Sequence, residues 1–181
     1  MNFRIYTITS SMFSTLFSLA IAACSFVGSW FVFKKMGLPG WKGIIPFYNM
    51  YVLFDEVWEK KKFWNYVIYS AVLVASAIFF SVFFTLCLVA GFAANRYDVP
   101  GDAGALIVFF VLLAFAILFF ITMIVMSVLL IVLQFKLYNR LVKCFGKGTG
   151  FALGLVFIAP VFMMILGFDK SRYIKYAANQ Q

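Results

Sequence analysis

Uninterrupted apolar runs decide what this chain can become. Three stretches, about residues 12–33, 63–92 and 105–133, consist almost wholly of apolar and small side chains. A hydrocarbon core of ~30 Å takes about 20 helical residues to cross, and each stretch is long enough. In lipid every backbone N–H and C=O needs an internal partner, so helices are expected in all three. A fourth stretch, about residues 151–168, is shorter and carries Gly154, Pro160 and Gly167. It either crosses as a short helix or turns back at Pro160, and a re-entrant turn survives only where its freed backbone groups are buried. Full crossing is the favoured reading, because residues 148–168 can just span the core. The expected fold is therefore all-α and membrane-integral. It is one domain over residues 1–181, a small bundle of about four transmembrane segments.

Composition agrees and also excludes. Of 181 residues, 65% are apolar and only 12% charged, where a soluble domain would have about a quarter charged. There is no histidine, which removes the commonest general base, metal ligand and haem ligand. Cys24, Cys87 and Cys144 have no paired or metal-binding spacing and are expected as small apolar fillers. The acids Asp55, Glu56, Glu59, Asp98, Asp102 and Asp169 all lie outside the middle of a span. No catalytic residue, metal or cofactor is expected, and the chain is not read as an enzyme. Ile21-Ala22-Ala23-Cys24 has the look of a lipoprotein cleavage box, but the apolar run continues through Phe33, too long for a signal core.

Lys and Arg in the connections set orientation. Arg4 precedes the first run, and Arg96 is alone between the second and third. Lys34, Lys35, Lys42 and Lys60 to Lys62 follow the first, and Lys136, Arg140, Lys143 and Lys147 follow the third. The N-terminus is expected outside the cell membrane, with both basic connections cytoplasmic. A full fourth crossing leaves Lys170, Arg172 and Lys175 on the outside, whereas re-entry brings them to the cytoplasm.

Two helix faces are expected to do recognisable work. Ser14, Ser18, Ser25 and Ser29 share one face of the first span, where small residues let helices approach closely in lipid. Lys136, Arg140, Lys143 and Lys147 line one face at the end of the third helix. Anionic lipid headgroups are their expected partner, and the basic ends also complement the helix dipole. No nucleic-acid partner is expected, because sequence-reading elements are absent.

Two Gly/Pro-rich connections stand apart. Residues 37–58 are too apolar for a solvated loop and too broken for one helix. Trp41, Tyr48, Tyr51 and Trp58 suit the headgroup region, so this stretch is expected to lie in the cytoplasmic interface. Phe145-Gly146-Lys147-Gly148-Thr149-Gly150 lacks the strand and the Lys-Ser/Thr pair of a phosphate-binding loop. Its glycines are expected to end the third helix. The two regions share an echo. Nine residues separate Pro46 from Asp55 and Pro160 from Asp169, with Met50 and Met164, and Phe54 and Phe168, at matching offsets. Repeats of this kind occur in transporters, beside broken helices, but four coincident positions are few and chance is the favoured explanation of them.

The motifs Gly40-Trp41 … Ile45-Pro46-Phe47-Tyr48-Asn49-Met50-Tyr51 and Phe145-Gly146-Lys147-Gly148 … Gly154-Leu155 … Pro160 … Leu166-Gly167-Phe168 resemble those of an uncharacterised bacterial multi-pass membrane family. Its members carry a domain of unknown function, in some bacteria fused to signal peptidase I. The resemblance spans about residues 30–173 and implies a bacterial cytoplasmic membrane, with no catalytic or ligand residue to carry over. The first expectation for function is a non-enzymatic module that binds or scaffolds another membrane protein or itself. The second is a small oligomeric transporter or channel subunit, lined around Pro46 and Pro160 with Tyr48, Asn49 and Lys147 as polar contacts; under either reading Trp41, Pro46, Tyr48, Asn49 and Pro160 are the candidate partner or ligand contacts. An intramembrane enzyme is third.

Overall fold

The structure, a computed structural model, describes residues 2–96 and 103–175; Asp98 and Asp102 lie outside the described residues. Among the described residues it is all-helical. The helices are α1 (Asn2–Lys35), α2 (Tyr48–Val57), α3 (Lys60–Arg96), α4 (Ala103–Cys144), α5 (Thr149–Phe157) and α6 (Ala159–Phe168), with a 3-10 turn at Gly40–Gly43. Three stretches are long and apolar enough to cross a membrane: Ser11–Lys35, Lys60–Phe92 and Leu106–Cys144. The expected fourth span is instead two short helices of nine and ten residues. At ~1.5 Å per residue, neither one reaches ~30 Å.

The third helix runs beyond its expected end near residue 133 and closes at Cys144. Lys136, Arg140 and Lys143 do not interrupt it, because a helix can leave the apolar layer without breaking its i→i−4 ladder. The stop comes from Gly146, whose φ is 70°. There the N–H of Lys147 donates to the carbonyl of Val142 and that of Gly146 to Lys143, both at 3.0 Å, the paired bonds of a Schellman ending. α1 ends in the same way at Gly37, with φ 78°, where Leu38 donates to Phe33 and Gly37 to Lys34.

The contacts part the chain into two compact units: Met1–Phe63 with Gln134–Gln181, and Trp64–Leu133. In the second unit α3 and α4 run antiparallel and are joined by rings. Phe79 stacks on Phe119 at 5.1 Å, Phe83 on Phe115 at 5.3 Å, and Phe80 meets Phe120 at 5.5 Å. Ser76, Cys87 and Ala116 are buried along this pair.

The first unit holds the tighter core. Phe33, Leu53, Phe54, Leu137, Leu141 and Leu166 are almost fully enclosed. α1 and α6 make its most extensive helix contact and run in the same direction. Gly28 lies so close to α6 that an added Cβ would stand 2.7 Å from the Met164 nitrogen, and Gly167 faces Gly28 and Phe31. Small residues let helices close up in lipid, as expected, but here the glycines do this work rather than the serines. Ser14 and Ser18 are exposed, and Ser25 and Ser29 are half-buried.

Candidate functional site

Each Gly/Pro segment in the first unit leaves a long helix, folds back, and returns. After Gly37 the chain runs back along α1, where Gly40 takes the Trp30 ring and Gly43 sits on the Ser29 carbonyl. It turns at Ile45-Pro46-Phe47, all exposed, and returns as α2. Phe47 holds a φ of 63° there, an uncommon conformation for a bulky residue. The turn carries few unmade bonds. Pro46 has no N–H, while Asn49 donates to Ile45 and Tyr51 to Phe47, each at 3.0 Å.

α5 and α6 form the second such path. They bend at Ile158 (φ −133°, ψ 55°), with Pro160 in the first turn of α6. The Phe162 ring fills the space over Gly154 and meets Phe151 edge-on at 4.9 Å. The open ends of the hairpin are tied, because Lys147, just before α5, pairs with Asp169, just after α6. Lys35 closes the same knot from α1, its ammonium donating to the Leu166 carbonyl at 2.8 Å and to the Asp169 carbonyl. Hydrogen bonding from Lys147, then from the Lys170 N–H, holds the Asp169 carboxyl below its ordinary pKa. The tail continues the closure. Ile174 donates to the Cys144 carbonyl at 2.9 Å, Tyr173 packs on Phe145, and Lys175 pairs with Glu56 at 2.7 Å. Burial raises the Tyr173 phenol, with Cys144 and Glu56 adding to the shift.

The two returning helices meet α1 around a cavity of about 170 Å³. Its polar lining comes from Ser25 and Ser29 of α1, Asn49 of α2 and Tyr138 of α4. Met50, Leu53, Ala159, Met163 and Phe33 form the rest of the wall. Asn49 has two positions to hold at once, since its amide also reaches the Gly43 carbonyl at 3.4 Å.

The expected contact residues are thus partly brought together. Asn49 lines the cavity, whereas Trp41 stacks on Tyr48 and Tyr48 on Tyr51 at its own exposed flank. Pro46 and Pro160 shape the turns. The expected basic face is only partly on α4, because the helix ends at Cys144 and Lys147 lies beyond it, and it is largely engaged within the chain. Arg140 lies over the Trp58 ring at 4.7 Å, Lys147 is paired, and Lys143 also has an interaction; Lys136 is exposed. Gly28, Tyr138 and Met163 went unread in the sequence, because each matters only through partners on other helices. Among the described residues, no cluster of His, Cys, Asp or Glu could hold a metal ion.

Comparison with known proteins touches the second hairpin. A family of unknown function (DUF5684) matches residues 114–176. The match takes in the later part of α4, the α5–α6 hairpin and the tail, and so includes the Phe-Gly-Lys-Gly motif. It leaves out residues 40–51, which carry the first motif. No curated protein and no solved structure matches the chain.

Proposed function

We propose that this chain is a multi-pass cell-membrane protein that acts without catalysis, by binding another membrane protein through the sides of its spans. One observation carries the reading. Within the chain, the three candidate spans bury only 17%, 11% and 6% of their most apolar windows. Helices in lipid gain nothing from hydrophobic association, so they associate by shape and hydrogen bonding. The exposed Ser14 and Ser18 on α1 and Ser81 and Thr85 on α3 offer small, close-fitting faces for that purpose.

The topology we propose has three crossings, the N-terminus outside, and both Gly/Pro segments re-entering from the cytoplasmic side. The Lys147–Asp169 tie supports re-entry of α5–α6, and so do the exposed apolar tips at Phe47 and Phe157. With the tail cytoplasmic, every Lys and Arg except Arg4 and Arg96 lies on that side, as the positive-inside bias favours. Trp30, Tyr51 and Trp58, each beneath a Lys or Arg cation, suit that interface. Anionic headgroups are the lipid partners of the remaining basic side chains.

The test is photo-crosslinking in cells from positions 18 and 81, read by mass spectrometry. One protein captured in fixed proportion from both is the expected result, and adducts to lipid alone would sink the reading. A transporter or channel subunit is the second reading, favoured by the cavity between broken helices. There Asn49→Ala abolishes solute flux in proteoliposomes while crosslinks persist. Under the association reading, flux is absent with and without the change.

A further inference from the structure

The echo between the two Gly/Pro segments has a structural counterpart. Each follows a long helix closed by a glycine at positive φ, Gly37 or Gly146. Each has a glycine six residues before its proline, Gly40 or Gly154, and at each an aromatic ring fills the missing Cβ position. Each returns as a ten-residue helix, which begins two residues after Pro46 in the first segment and has Pro160 in its first turn in the second. The third residue beyond the proline, Asn49 in one segment and Met163 in the other, lines the same cavity.

Most hydroxyls of the spanning helices are satisfied within their own helix. Ser18, Ser70, Ser76, Ser81, Thr85, Thr122 and Ser127 donate to carbonyls of their own helix, the cheap way to keep a hydroxyl in an apolar layer. Among the described residues, Ser25 and Ser29 make no such bond, and both face the cavity. They precede Lys35 by ten and six residues, which at ~1.5 Å per residue is about 9–15 Å inward from the charged end. No charged side chain lines the space, so an ion would be buried there without a counter-charge, at high cost. Its 170 Å³ is room for five or six waters at ~30 Å³ each and lies below the ~300 Å³ of drug-sized pockets.

We propose that this cavity is a hydrated binding site for a small uncharged solute that both donates and accepts hydrogen bonds, of the class of urea, glycerol or a primary amide, held between two copies of one hairpin motif. The site depends on packing inside the first unit and not on the association reading, so either can fail alone.

The experiment uses the full chain in lipid nanodiscs. Ser29→Cys is alkylated with iodoacetamide, a small neutral amide, and the rate is read at that peptide by mass spectrometry. Ser18→Cys, on an exposed apolar face, is the reference. We expect reaction at least tenfold faster at position 29, and slowed at least twofold by 0.5 M acetamide (~0.5 M sucrose as the osmotic control). A rate equal to that at position 18 means a dry cavity and overturns the proposal. A fast rate that acetamide leaves unchanged means water alone, and overturns the solute site. Should Ser29→Cys misfold by size-exclusion profile, Ser25→Cys lines the same space and is read identically.

Discussion

The two units are built from the same apolar vocabulary and are held in opposite ways. The α3–α4 pair is long, is joined by phenylalanine rings, and keeps most of its surface outward. The first unit is knotted: backbone meets backbone at Gly28, the Lys35 ammonium caps two carbonyls, and five helices share one core. A bilayer needs little more than satisfied backbones from a spanning helix. It demands far more of irregular chain, which must find a partner for each freed group. The knot is what the two broken segments require.

That comparison can be broken most sharply at its glycines. Gly28→Ala puts a Cβ against the α6 backbone, so α1 and α6 must separate; we expect a loss near the top of the ~1–3 kcal/mol range for overpacking. Gly91→Ala, whose nearest neighbour is the tip of Phe109 at 3.7 Å, should be close to neutral. Unfolding in a mixed-micelle SDS titration reads both, and equal losses would erase the distinction between units. Lys35→Met removes two hydrogen bonds to the end of α6 and should cost about 1.5 kcal/mol by the same titration. Phe83 stacks on both Phe115 and Phe119, so Phe83→Leu should lose about 1 kcal/mol and leave cavity labelling intact.

The smallest effect is one of pH. The Asp169 carboxyl is held below its ordinary value near 3.8, so its contribution is fully present above that value and is lost as pH falls through the lower native one. Thermal midpoints of wild type and Asp169→Asn should therefore differ at neutral pH and converge in acid. A gap that widens in acid would mean the Lys147 tie has the opposite sign.

Much of this was legible beforehand. Runs without charge announce the spans, whereas the break at Ile158 was open in sequence only as the alternative to a full crossing. The glycine ending of α4 also follows from sequence. What stayed hidden has a common cause: lysines at the ends of apolar runs all read as orientation marks, and nothing local tells Lys35, which clamps a hairpin, from Lys34, which lies over Trp30. Likewise the serine stripe on α1 is one pattern in sequence and two environments in the fold. Ser14 and Ser18 face outward, while Ser25 and Ser29 meet the cavity, because only the later half of the helix has α6 beside it.

Lys35 and the Asp169 carbonyl it caps stand 134 residues apart in the chain. At about 5–20 residues per second of synthesis, the first partner waits on the order of ten seconds for the second. Throughout that interval α1 is already made, with Gly28 bare and the first hairpin lacking the neighbour that closes its cavity. Assembly of the first unit is thus a late event, reached only when α6 is delivered.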